Sequence, residues 1–268
     1  MIRPDISKWA ETVDFDQMAT QTDGVIIRAG QGGWVDRYFY EHMNEAEGKL
    51  KRGVYWYWDS RYKPANQAAL LAEFLKEYTL ELRVWLDFEE NYGGAYGKWE
   101  HMVTFLQEVK RLLPQYEVGV YTGYYWWLDR VPEISHQYFE DSPLWIAWYV
   151  DNIDHVLIPQ PWTEITMWQF TESGDGKLYG LNPLVKRAID LNEVFIDVSE
   201  PLPPVEPPVE PPIEPPVEPI DEPTVSGKLL FGMNLRTSPV VNDTNQIGFL
   251  FKHEEVKGKL VPEGANSW

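Results

Sequence analysis

The chain has no cysteine among its 268 residues, which excludes disulfides, a thiol nucleophile and thiolate-bound zinc. Histidine is scarce, and none of His42, His101, His136, His155 and His253 is spaced as a metal motif. Basic residues are outnumbered, 23 Lys and Arg against 42 Asp and Glu, and a net charge of -19 makes nucleic acid a poor partner. No apolar run is long enough to cross a membrane. The opening Met1-Ile2-Arg3-Pro4-Asp5 has no apolar leader segment. A Gly-x-Ser-x-Gly elbow and a phosphate-cradling loop are both missing, and Gly30-Gln31-Gly32-Gly33 is too short a signal for a nucleotide site. The expectation is a chain that works without metal, cofactor, nucleic acid or membrane.

What the sequence does have is acid at the ends of apolar runs. Asp87-Phe88-Glu89 closes the strand-like run from Leu82 to Leu86, and on a strand two acids spaced i, i+2 point the same way. Carboxylates that close raise one another's proton affinity, so one can stay protonated while the other works ionised. That division of labour suits cleavage of a glycosidic bond. A solvated strand end carrying two acids by chance is the bland alternative, and the Gly- and Tyr-rich stretch from Asn91 to Gly97 weighs against it. Strand, acid and loop follow one another as catalytic groups do in barrel enzymes.

The same grammar repeats along the chain. Ile2 to Ile6, Gly24 to Ala29, Gly53 to Trp58, Arg83 to Phe88, Glu117 to Thr122, Leu144 to Tyr149, Ile165 to Phe170 and Ala188 to Val194 read as eight strands rich in β-branched and aromatic residues. Helical periodicity occupies Tyr38 to Leu50, Pro64 to Tyr78 and Trp99 to Leu113. Asp151 to Trp162 and Thr171 to Lys186 carry Pro and Gly and support no good helix. The fold class expected is therefore α/β: a modified TIM-like βα barrel of eight strands and about five helices, its sheet parallel, followed by a small all-β C-terminal module. Closure of such a barrel makes the first and last strands neighbours, so Asp5 and Asp190 should join Asp87 and Glu89 in one acidic cluster with no base adjacent in sequence.

Asp5-Ile6-Ser7, Gly53-Val54-Tyr55-Trp56-Tyr57, Asp87-Phe88-Glu89, Val120-Tyr121-Thr122, Trp145-Ile146-Ala147-Trp148-Tyr149, Trp168-Gln169 and Ile189-Asp190-Leu191-Asn192 stand in order over roughly residues 1 to 198. In that order they resemble the family 25 glycoside hydrolases, N-acetylmuramidases that act on bacterial peptidoglycan, with Pro4 and Ala10 departing from the family pattern. The resemblance implies a βα barrel with fewer than eight helices and hydrolysis of the β-1,4 bond between N-acetylmuramic acid and N-acetylglucosamine. It makes Glu89 the general acid, with Asp87 either attacking the anomeric carbon or steadying the substrate's acetamido group. Asp5 and Asp190 would tune that pair and hold sugar hydroxyls. A non-catalytic wall-binding barrel and a chitinase-like glycosidase are the alternatives; Glu89 speaks against the first and the lack of a longer acidic strand motif against the second.

Aromatics make up 15% of the chain, and flat sugar faces suit aromatic planes at a barrel mouth. Tyr57, Tyr121 and Trp148 are expected to line the groove, with Gln169 taking hydroxyls, whereas mid-strand Trp85 and Trp145 should be core. Trp126 and Trp127, placed in a loop, could serve as groove wall or surface packing.

The catalytic barrel is expected over residues 1–199. A Pro/Glu repeat over 200–224 reads as an extended polyproline II spacer. Residues 225–268, with Met233-Asn234-Leu235-Arg236-Thr237-Ser238-Pro239 and Gln246-Ile247-Gly248-Phe249-Leu250, resemble a partial bacterial SH3-type module that would bind the cell wall. A hydrolase without a leader would be made in the cytoplasm and reach the wall at lysis, as endolysins do, a secreted autolysin being the alternative. A monomer is the simplest assembly.

Overall fold

The computed structural model describes residues 1–184 and 188–197, and the backbone of four short strands between residues 224 and 259. The chain divides into two compact units, Met1–Pro203 and Pro204–Trp268. In the first, the strands are β1 (Ile2–Ile6), β2 (Gly24–Gln31), β3 (Trp34–Val35), β4 (Lys51–Tyr57), β5 (Val84–Phe88), β6 (Val118–Gly123), β7 (Leu144–Ala147), β8 (Met167–Asp175) and β9 (Ala188–Val194). Eight of these close a ring in the order β1-β2-β4-β5-β6-β7-β8-β9, and β3 folds back as a hairpin on β2. The eight ring strands coincide with the eight strand-like runs of the sequence.

Five α-helices cover the ring: α1 (Phe15–Ala19), α2 (Phe39–Ala46), α3 (Pro64–Leu75), α4 (Trp99–Leu112) and α5 (Tyr124–Arg130), with two 3-10 turns at Glu133–Tyr138 and Ile153–His155. Helix α4 shows why: Met102, Val103, Phe105, Leu106 and Val109 recur at helical spacing and are buried, while Lys110 and Arg111 sit in the last turn where the helix dipole favours cations. Pro64 opens α3 at a position that needs no amide hydrogen. Among the described residues no helix is long and apolar enough to cross a membrane.

Two expectations change. The sheet is not wholly parallel, because β9 runs antiparallel to both β8 and β1. The described residues of the connection from β8 to β9 form no crossover helix, and without one a neighbouring strand can only return antiparallel. The reversal brings Asp190, near the start of β9, level with Asp5 in the register of the ring. The stretch holding Trp126 and Trp127 is helix α5 rather than a loop, and it splits the two roles: Trp127 packs inward while Trp126 faces the segment after β5.

The ring is filled, not hollow. Ile26, Leu82, Trp85, Tyr121, Trp145 and Met167 pack together in its core, with the Trp85 and Trp145 rings 5.5 Å apart. Each buried ring of this size contributes about 1.5–3 kcal/mol relative to exposure. Gly119 makes room for Trp85, since a Cβ there would lie 2.3 Å from its ring. Arg3 closes the foot by paired hydrogen bonds to Asp23 and Asp197. A cavity of about 240 Å³ beside the starts of β5 to β8, lined by Arg83, Glu117, Ser142 and Trp162, also lies at the foot, away from the acids.

In the second unit β10 (Thr224–Lys228) pairs antiparallel with β13 (Glu255–Lys259), and β11 (Met233–Arg236) with β12 (Gln246–Leu250). The spacer expected over 200–224 lies, up to residue 223, outside the described residues.

Candidate active site

The mouth of the ring is the end where the parallel strands finish. Asp87 is the fourth residue of β5 and stands level with Tyr57 on β4 and Tyr121 on β6. It is buried, and its Oδ1 has no hydrogen-bond partner among the described residues. Burial, then the charges of Glu89 and Asp5, push its carboxyl well above the usual range, while Arg28 opposes them. Glu89 follows the last residue of β5 and reaches solvent. Desolvation by the surrounding protein and the charge of Asp5 also raise its proton affinity, against the nearby Tyr121 hydroxyl and Arg28. Two coupled acids whose proton affinities are raised in this way are candidates for acid–base chemistry.

Asp5 completes the floor from the other side of the ring. Its Oδ2 accepts from Gln169 Nε2 at 3.0 Å and from Asn192 Nδ2 at 2.9 Å. Both amides are themselves oriented. Gln169 Oε1 accepts from the hydroxyls of Tyr121 at 3.0 Å and Tyr149 at 2.8 Å, and Asn192 Oδ1 accepts from the indole of Trp145 at 2.7 Å. Asp190 shares the mouth, since its charge acts on Tyr55 and Tyr149 together with that of Asp5.

The sequence offered no base adjacent to these acids, and the fold supplies one from a neighbouring strand. Arg28, on β2, is buried beside Asp87 and donates through Nε to Asp36, which also accepts from the backbone of Lys8 at 3.0 Å. Asp36 lies just beyond β3, so the hairpin missed in the sequence carries the partner that fixes this cation.

Glu90 anchors the chain beside Glu89. It is buried, accepting from Ser60 N at 3.0 Å and from Tyr92 N. Ser60 in turn accepts from Gly94 N and Tyr96 N, at 2.9 and 2.8 Å, so the segments after β4 and β5 are tied together. Gly94 is required at this crossing, because a Cβ would meet the Ser60 carbonyl oxygen at 2.3 Å.

The aromatic expectations divide. Tyr57 is half-buried at the mouth, and burial with the nearby charges of Asp87 and Glu89 raises its hydroxyl above the ordinary value. Trp148 is half-buried in a cluster with Tyr124 and Tyr125, whose rings lie 5.2 and 5.4 Å away. Tyr121 is not a groove platform: it is 7% exposed, packed 4.5 Å from Trp145, and presents only its hydroxyl, which donates to Gln169. Its mid-strand register, level with Asp87, dictates that burial. Gln169 is likewise 3% exposed and works through Asp5 and the two tyrosines. Tyr149, which sequence reasoning passed over as a site residue, stands half open beside it.

A model of the glycosyl hydrolases family 25 matches residues 4–177, well over half of the chain and all of this site except β9. The chain belongs to glycosyl hydrolase family 25. It is therefore a glycoside hydrolase, and the resemblance drawn from Asp5-Ile6-Ser7 and Asp87-Phe88-Glu89 holds. Solved structures agree on the fold. The catalytic domain of endolysin ply40 from bacteriophage P40 of Listeria monocytogenes is 22% identical with a TM-score of 0.57, over 73% of this chain and 93% of that one. The muramidase from Trichobolus zukalii is 25% identical with a TM-score of 0.57 over the same shares. The autolysin LytC from Streptococcus pneumoniae, solved with a synthetic peptidoglycan ligand, is 19% identical with a TM-score of 0.57, over 71% of this chain and 46% of that one. No curated protein sequence matches significantly. Within this family 25 barrel, Arg28 and Glu90 lie outside every short motif, while Tyr149 and Asn192 stand inside motifs that gave them no role.

Proposed function

We propose that this family 25 hydrolase cleaves the β-1,4 bond between N-acetylmuramic acid and N-acetylglucosamine in bacterial peptidoglycan. The observation that carries the reading is the Asp87/Glu89 pair, held at the mouth by environments that raise the proton affinity of both. Glu89, the more accessible, protonates the glycosidic oxygen as the leaving sugar departs. With the proton of the coupled pair on Glu89, Asp87, beneath it, is ionised and supplies negative charge as positive charge develops at the anomeric carbon. Asp5, fixed by Gln169 and Asn192, and Asp190 hold sugar hydroxyls and keep a proton on the pair by their own charge. The muramidase and autolysin among the similar structures support peptidoglycan as the polymer.

The wall reading extends to the second unit. Its four strands would bind the wall as an SH3-type module joined by a spacer, raising the local concentration of the barrel at an insoluble polymer. Release at lysis, in the manner of an endolysin, is the delivery route that fits. Removing residues 200–268 tests the tether: activity on whole walls should fall more than activity on soluble fragments, and equal loss on both would refute it.

A further inference from the structure

Three of the four cation–aromatic pairs among the described residues stand on segments that follow the mouth end of a ring strand. Lys8 lies 5.0 Å from the Trp9 ring after β1, while the fourth pair, Arg37 at 5.0 Å from Tyr38, follows β3, which runs back along β2. Arg61 lies 4.1 Å over Tyr92, joining the segments after β4 and β5, and Arg130 lies 5.9 Å from Trp126 on α5. In a chain of net charge -19, cations with flat partners thus ring a mouth whose interior is acidic.

The Arg61–Tyr92 pair is the one built as a receptor. Asp59, fully buried, holds the guanidinium through Nε at 2.8 Å and Nη2 at 2.6 Å, while the Arg61 side chain itself is 43% exposed. Nη1 donates to no group among the described residues, so one edge of the fork is fixed and the other faces solvent. Tyr92, 48% exposed, lies beneath the fork and 6.4 Å from Tyr57, the residue next to Asp87 and Glu89. The free edge of Arg61 is therefore two rings from the reacting acids. A guanidinium held in place loses little freedom on binding, and its planar fork matches a carboxylate. The inner acids repel an anion, so a fixed cation on the rim decides which side of the mouth a charged branch of the substrate occupies.

Resting on the peptidoglycan reading above, we propose that Arg61 and Tyr92 form a specificity subsite for a carboxylate carried on a branch of the glycan beside the scissile bond. The branch that offers it is the peptide stem, with the stem-free lactyl carboxylate as the other source of the same chemistry.

The test uses the full chain and soluble glycan fragments in three forms: with native stems, with stem carboxylates converted to neutral amides, and with stems removed to leave free lactyl groups. Wild type should show a KM about ten-fold lower on native stems than on amidated ones, a preference that high salt erases, in line with one charge-assisted bidentate pair. Arg61→Gln should lose that preference with kcat little changed, and Arg61→Lys should keep part of it. A preference that survives on stem-free fragments assigns the lactyl carboxylate, and one confined to native stems assigns the peptide. Equal KM on all three forms in wild type would overturn the subsite while leaving the hydrolase reading intact. Absence of cleavage of all three forms would overturn the reading and the subsite together. The wild-type comparison needs no variant, so a folding defect in Arg61→Gln, which uncovers buried Asp59, cannot mask the answer.

Discussion

Gln169 donates to Asp5 across 3.0 Å although 164 residues separate them, and its other amide atom accepts from two tyrosines that face the same mouth. One side chain thereby sets the position of an acid on β1 from strand β8. Gln169→Leu should leave the Tyr121 hydroxyl without its acceptor and Asp5 with one donor fewer, costing about 1–3 kcal/mol of stability. Its kcat should fall about ten- to hundred-fold with KM less affected, as for other groups that orient a functional side chain. Denaturant unfolding alongside steady-state kinetics checks both; a stable variant of unchanged kcat would remove Gln169 from the positioning network.

Asp87 is expected to stabilise the fold when protonated and to weaken it when charged. Burial first, and Glu89 next, raise its folded proton affinity above the ordinary carboxylate value. A raised acid contributes fully below a pH of about 4 and loses that contribution as pH climbs through the raised folded value. Asp87→Asn should therefore be inactive yet more stable than wild type at pH 8, by about 1 kcal/mol, the scale of a single substitution. The gain should vanish near pH 4. Thermal melts across that range decide, and lower stability of the variant at pH 8 would count against it.

Arg28 works against burial by lowering the proton affinity of both Asp87 and Glu89. Replacing it together with its partner, as Arg28→Gln with Asp36→Asn, removes the cation without leaving a buried charge alone. Glu89 must carry its proton to act, so the alkaline limb of kcat/KM should move to higher pH. A limb that stays in place, or moves to lower pH, would show that Arg28 does not reach the pair.

Trp148 offers a half-buried ring backed by Tyr124 and Tyr125. Trp148→Ala should raise KM on glycan fragments about ten-fold, matching roughly 1.4 kcal/mol of lost aromatic contact, while kcat changes little. Calorimetric binding to the inactive Glu89→Gln protein, with and without the tryptophan, measures the same quantity; unchanged affinity would place the sugar elsewhere.

Much of this architecture was legible because buried strands advertise themselves. Val84-Trp85-Leu86-Asp87-Phe88 is apolar until its acid, and every ring strand has such a run. The acids of β1, β5 and β9 could be grouped from ring closure alone. What stayed hidden depends on distance in sequence. Arg28 and Asp36 meet through a hairpin whose strand β3 is only two residues long, too short to carry a periodic signal. The reversal of β9 was implied by the helix-poor Thr171 to Lys186 stretch, but a short run reads the same in both directions. Tyr121 resembled a groove aromatic because strand ends and mid-strand positions differ by one or two residues, within the error of any boundary read from sequence. Asn192, Gln169 and Glu90 act through hydrogen bonds that only the closed ring brings together.

Digestion of purified peptidoglycan by wild type and Glu89→Gln, with the new reducing ends identified, tests the central claim most directly. Reducing N-acetylmuramic acid released by wild type, and none by a folded Glu89→Gln protein, is the expected result. Reducing N-acetylglucosamine, no new reducing ends from wild type, or an undiminished rate in Glu89→Gln would contradict it.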